Sequence, residues 1–173
     1  MPCNLNFNQC NLGCSFPRPI FNCCSRFISI LNQSNIEVIN PTIDTSFAIS
    51  TVTTPQTVGA NANLIPVVAL NQGSSISFDN FGTYSLSTGR YLISFNINGV
   101  YANNGSYSFA VFENESQIAG SAVTSTGTAG NAVSISNSIF VDVTLANALI
   151  NFKNINTDSQ VVNSATISIQ KIN

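Results

Sequence analysis

Charge is scarce in this chain. Five Lys or Arg and seven Asp or Glu make up 7% of 173 residues, against roughly 25% in an average globular domain. With a net charge of −2 and no basic cluster, the electrostatic footprint that a phosphate backbone requires is missing, which excludes nucleic acid as a partner. Recruitment to an anionic membrane by a polybasic patch fails for the same reason. Histidine is absent altogether, removing the commonest general base, the commonest metal ligand and every Ser–His or Cys–His nucleophilic pair. Long apolar runs are lacking too: stretches such as Val67 to Leu70 fall far short of the ~20 residues a membrane-spanning helix needs. The opening MPCNLNFNQC has neither a basic n-region nor an apolar h-region, so no secretory signal is expected.

What replaces the charge is Asn, Ser and Thr, because hydrophobic residues stay at 44%, near the usual ~45–50%. The composition is that of a folded protein of 18.4 kDa, one domain with an added segment. A surface rich in amides and hydroxyls gives little charge repulsion against self-association, so the chain reads as one built to assemble. Cysteine divides it in two. All five, Cys3, Cys10, Cys14, Cys23 and Cys24, lie within the first 24 residues. We place the boundary near residue 42, with a Cys-rich N-terminal connector over 1–42 and an all-β domain over 43–173.

Within that domain apolar residues alternate with polar ones, the period of half-buried strands. Tyr91, Ile93, Phe95 and Ile97 share one face, with Ser94, Asn96 and Asn98 on the other. Tyr107, Phe109 and Val111 form a second run. Val133, Ile135, Ile139, Val141 and Val143 form a third, set against Ser134, Ser136, Ser138 and Asp142, and Ala165, Ile167 and Ile169 a fourth. Turn signals separate them: Asn71-Gln72-Gly73, Asn80-Phe81-Gly82, Thr88-Gly89, Asn103 to Ser106, Thr126 to Asn131 and Asn156 to Ser159. No helix of useful length is expected. Many short strands at such spacing predict a sandwich or jelly roll. The run 107–112 is apolar on both faces, with Ala110 and Phe112 opposite Phe109 and Val111, so its second face is expected to meet a neighbouring subunit.

The cysteine spacing, C-x6-C-x3-C-x8-C-C, holds an odd number of thiols, and adjacent Cys23 and Cys24 cannot pair with one another without strain. Interchain disulfides are the expected outlet; a four-cysteine zinc site, which lacks the CxxC knuckle, and free thiols in a reducing cytosol are the competing readings. Phe16-Pro17-Arg18-Pro19-Ile20-Phe21 alternates prolines with large apolar residues, as suits an extended segment that docks on another surface. With Phe27, Ile28, Ile30 and Leu31 it is expected to pack on a neighbouring copy by strand addition or groove filling; folding back on its own domain is the alternative.

The segment Gly89-Arg90-Tyr91-Leu92-Ile93-Ser94-Phe95 resembles the Gly-x-Tyr-x-(Phe/Ile)-x-(Phe/Tyr) strand of C1q/TNF-like jelly rolls. FAISTVTTPQTVGANANLIPV at 47–67, FAVFENESQIAGSAV at 109–123 and ATISIQKIN at 165–173 extend the likeness over about residues 43–173, toward the C-terminal domain of BclA-like bacterial spore-surface proteins. Ala146-Asn147 stands where relatives often carry Gly-Asp, and a cysteine-rich arm stands where BclA has its collagen tract. The resemblance implies a C1q/TNF-like jelly-roll sandwich that forms a homotrimer through a largely apolar three-fold interface. The arm resembles the connectors of endospore appendage fibre subunits.

The expectation is therefore a structural subunit, not an enzyme: trimers stacked through the connector into a disulfide-stabilised fibre on the spore surface. It would be made in the mother cell without a signal peptide and held by a spore-coat or exosporium anchor protein, with no nucleic acid or membrane partner. The alternative is a trimeric exosporium protein or a receptor- or glycan-binding head whose loops Asn103–Ser106 and Thr124–Asn131 carry recognition. No catalytic residue, cofactor or metal is assigned. The carboxylates Glu37, Asp44, Asp79, Glu113, Glu115, Asp142 and Asp158 read as solvated charges, Glu113 and Glu115 included. Asp79 or Asp142 are the positions from which a calcium ligand of some C1q-like trimers would come, but no ligand cluster is evident. The sequons at Asn32, Asn104 and Asn114 are what chance gives in so Asn- and Ser-rich a chain, while Ser/Thr-rich loops such as Thr124–Thr128 are open to O-glycans.

Overall fold

The structure, a computed structural model, describes residues 45–172. The five cysteines, the docking residues between Phe16 and Leu31, and the boundary at residue 42 lie outside the described residues. The described chain forms twelve strands: β1 (Phe47–Val52), β2 (Gln56–Val58), β3 (Val67–Gln72), β4 (Ile76–Phe78), β5 (Thr83–Leu86), β6 (Gly89–Val100), β7 (Gly105–Glu113), β8 (Ser116–Gln117), β9 (Val123–Gly127), β10 (Ala132–Val143), β11 (Ala148–Asn154) and β12 (Gln160–Lys171). No helix occurs among the described residues.

Two antiparallel sheets face each other. Sheet A runs β10-β6-β12-β1-β3, with β2 also on β12; sheet B runs β4-β5-β11-β7-β8, with β9 also on β7. The strands β6, β10 and β12 come from the three longest alternating runs, and their apolar sides close on sheet B. Tyr91, Ile93, Phe95, Ile97, Ile135, Val141, Ala165, Ile167 and Ile169 are buried from sheet A, and Tyr84, Leu86, Tyr107, Phe109, Val111, Ile150 and Phe152 from sheet B. Burying each large side chain stabilises the fold by about 1.5–3 kcal/mol. The ring of Phe95 meets that of Phe152 edge-on across the sandwich, centroids 5.6 Å apart, so the two layers are keyed together.

The chain turns where the Asn and Gly signals stand, and asparagine does much of the turning. Asn61, Asn80, Asn114 and Asn147 take φ of 57°, 64°, 48° and 61°, a left-handed conformation their short amide side chains tolerate. Asn114 and Glu115, at φ 48° and 68°, form the two-residue hairpin between β7 and β8, with Glu113 opposite Ser116.

The middle of the second face of β7 is closed within the protomer. Ser108 and Ala110 are buried, the Ser108 hydroxyl donates to Thr124 Oγ1 at 2.8 Å, and the Lys153 ammonium sits 5.1 Å from the Phe112 ring centroid. Of the two apolar side chains expected to meet a neighbour, Ala110 is buried within the body, while Phe112 stays half-buried.

Candidate self-association face

The period of two that buries one side of β6, β10, β12 and β1 sends their other side chains outward, and the register lines these up in rows. Ser138, Ser94, Ser168, Ile49 and Leu70 lie side by side across five strands. The next row reads Ser136, Asn96, Thr166, Thr51 and Val67, and a third Ser134, Asn98 and Ser164. On the other side of the serine row stand Phe140, Leu92, Gln170 and Phe47.

The polar centre of this face is hydrogen-bonded to itself. Ser94 Oγ and Ser138 Oγ are 2.8 Å apart. Asn98 Nδ2 donates to Asn96 Oδ1 at 2.8 Å and to Ser164 Oγ at 3.3 Å, and Asn96 Nδ2 to Ser134 Oγ at 3.4 Å. A shallow basin of about 360 Å³ lies over it, lined by Ser94, Asn96, Ser136, Ser138, Thr166 and Ser168. Apolar side chains rim the polar patch: Phe140 is 64% exposed at one edge, and Leu70 and Val67 are 47% and 68% exposed at the other. The charged pair nearest it, Arg90 to Asp142 at 3.1 Å, stands at one end, with the Arg90 guanidinium 5.7 Å from the Phe140 ring centroid. A broad uncharged face that mixes hydrogen-bonding groups with an apolar rim suits another protein surface of like chemistry.

Three of the carboxylates have local partners. Asp142 is held by Arg90, and Glu115 pairs with the mostly buried Lys153. Asp79 Oδ1 accepts the Phe81 and Thr83 amides at 2.8 and 3.0 Å; slight burial pushes this carboxyl up, but those amides and the Thr83 hydroxyl outweigh it and hold it below its ordinary value. Glu113 stays on its strand while Glu115 stands in the turn, so the two make no catalytic dyad. Glu37 and Asp44 lie outside the described residues. No three of His, Cys, Asp or Glu come together among the described residues.

The loops expected to carry recognition are brought to one end. Asn104 Oδ1 accepts the Ala129 amide at 2.9 Å, and Tyr101 exchanges backbone bonds with Gly130 and Asn131 at 2.8 and 3.1 Å. The sequon residue Asn114 likewise accepts the Leu149 amide at 2.9 Å; Asn32 lies outside the described residues. Core phenols are shifted: burial pushes Tyr107 and Tyr84 well above the ordinary phenol, and the nearby Ser50 hydroxyl offsets only part of this for Tyr84. Neither Ser50 Oγ nor Tyr84 OH makes a hydrogen bond of normal length.

Sequence reasoning named most of the outward polar residues of β6 and β10 without seeing that they join. It missed β3, whose exposed Val67 and Leu70 continue the face, and a second depression of about 310 Å³ between Thr51–Gln56 and Ile65–Val67.

No protein-family model and no curated protein matches the chain. Solved structures do resemble it. The TNF protein Eiger of S. frugiperda aligns at 11% identity over 76% of this chain and 93% of its own, with a TM-score of 0.63. Murine APRIL aligns at 8% identity over 73% and 99%, TM-score 0.60, and the globular domain of zebrafish complement 1qA at 7% over 74% and 98%, TM-score 0.60. At these identities the likeness is one of fold, and the fold of the described residues is the C1q/TNF-like jelly roll.

Proposed function

We propose that this protein is a structural, self-assembling subunit: a jelly roll that trimerises through the outward face of sheet A and polymerises through its N-terminal connector into a fibre on the bacterial spore surface. The observation that carries the reading is the face itself, three rows of uncharged, hydrogen-bonding side chains rimmed by Phe140, Leu70 and Val67. The trimer is what the C1q/TNF resemblance implies, with an interface more polar than that resemblance suggested. Cys3, Cys10, Cys14, Cys23 and Cys24 crosslink neighbouring copies once the surface becomes oxidising, and the segment from Phe16 to Leu31 docks on the next trimer. An anchor protein of the coat or exosporium holds the fibre at its base. The reading needs no cofactor and no catalysis.

Negative-stain electron microscopy of the full-length protein tests it. Filaments with a regular axial repeat are expected, lost on reduction and lost when residues 1–31 are deleted. Discrete particles with and without reductant would overturn the fibre. They would favour the second reading, a trimeric surface or binding head, for which the pairing of loops 101–106 and 127–131 at one end of the body speaks.

A further inference from the structure

The dipeptide Asn-Gly occurs twice, at Asn98-Gly99 and Asn104-Gly105, in opposite surroundings. Gly99 is buried in β6 with Val133 of β10 opposite it on one side and Val162 of β12 on the other. The Asn98 amide is engaged by Asn96 and Ser164. Asn104 and Gly105 are both exposed where the chain enters β7. Gly105 has φ 143° and nothing within 4 Å of where a Cβ would stand, and the Asn104 side-chain oxygen Oδ1 accepts the Ala129 amide at 2.9 Å.

An asparagine amide is open to attack by the next residue's backbone nitrogen, and glycine favours that attack because no Cβ obstructs it and the backbone can turn. A strand bonded on both sides cannot turn. A donor already aimed at the side-chain oxygen stabilises the negative charge that gathers there when Cγ becomes tetrahedral. At position 104 an exposed asparagine, open space at the next glycine and a donor on the side-chain oxygen coincide; at position 98 the strand forbids the motion.

We propose that Asn104 is a site of spontaneous, structure-selected deamidation. The Gly105 nitrogen gives up its proton to solvent base and bonds to Asn104 Cγ. The Cγ–Nδ2 bond breaks and ammonia leaves with a proton returned from solvent. Water then opens the five-membered imide at either carbonyl, giving aspartate or isoaspartate. The aspartate product keeps an acceptor for the Ala129 amide and places a negative charge in a loop pair, 101–106 and 127–131, that contains no charged residue. The isoaspartate product adds a methylene to the backbone beside the Gly105–Gly127 pair of β7 and β9 and loosens the join between the loops. This inference is independent of the fibre reading.

Peptide mapping of the aged full-length protein tests it, since chymotryptic cleavage after Phe95, Tyr101 and Tyr107 puts the two dipeptides on separate peptides. In the native protein peptide 102–107 should gain about 1 Da and accept isoaspartyl methylation, while peptide 96–101 stays unchanged. In denaturant the two should convert at comparable rates, and Gly105→Ala should slow conversion at 104 several-fold. Equal conversion of both peptides in the native protein would overturn the proposal, as would a peptide 102–107 that converts only in denaturant.

Discussion

The hydroxyl of Ser94 lies 2.8 Å from that of Ser138, two serines 44 residues apart in the chain that meet at the centre of the outward face of sheet A. Both point away from the sandwich core, so a long charged group at Ser94 changes what the face can touch without disturbing what the body buries. Ser94→Arg should leave folding stability within about 0.5 kcal/mol of the native protein and abolish trimers under reducing conditions, measured by light scattering on a sizing column. Ser77→Arg, on β4 of the other sheet, should leave the trimer intact. Trimers that persist in Ser94→Arg would move the interface elsewhere.

Gly99 is required by a close approach. A Cβ there would stand 2.0 Å from the Val161 carbonyl oxygen and 2.5 Å from Tyr107 OH, the same hydroxyl that reaches Val161 O at 3.3 Å. Gly99→Ala must push β6 from β12 or displace the phenol, and we expect a loss of about 1–3 kcal/mol in chemical denaturation. Tyr107→Phe in the same background should recover part of the loss, because one of the two collisions is removed.

Tyr84→Phe tests the hydroxyl sealed in the core. Neither its oxygen nor that of Ser50 makes a hydrogen bond of normal length, and removing a poorly satisfied buried group relieves a cost of up to about 1–3 kcal/mol. The variant should therefore melt at the same or a higher temperature. A clear drop would mean that an ordered water bridges the two hydroxyls.

Asp79 makes a small part of the stability acid-sensitive. Its carboxyl titrates below the unfolded value of 3.8, so its contribution is present above that value and disappears as the pH falls through the lower, folded value. The group is exposed, and the effect is correspondingly modest. Asp79→Ala should melt below the native protein at neutral pH, with the gap closing as the pH falls below the unfolded value of 3.8; a gap that is constant with pH would assign the loss to the turn alone.

The strands that were legible in the sequence are those whose pattern is local. β6, β10 and β12 alternate over twelve residues each, and alternation needs no knowledge of partners. β2, β4 and β8, at three, three and two residues, are too short to show a period. β3 hides its period behind a bulge, where its register against β1 shifts between Ile49 and Ser50, and it lies at a sheet edge where little is buried. The face of sheet A was half legible: Ser94 and Ser138 could each be seen to point away from a core, but that they point from adjacent strands is a matter of register, which closes only through long-range pairing. At Asn114-Glu115 the strand end and its hairpin charges could be read, but not the two-residue turn itself, because glutamate rarely takes a positive φ.

The place of β12 in sheet A sets the order in which the body can form. Twelfth in chain order, it fills the gap between β6 and β1, so until it is made the sheet exists as two fragments, β10-β6 and β1-β3, each with an unsatisfied flank. A chain emerging from the ribosome cannot close this sandwich progressively and must hold those flanks open until residues 160–171 arrive. Folding is then slow and dominated by distant contacts. The same open flanks on several nascent copies are the surfaces most prone to mispair, so efficient production should depend on keeping young chains apart until each has inserted its own central strand.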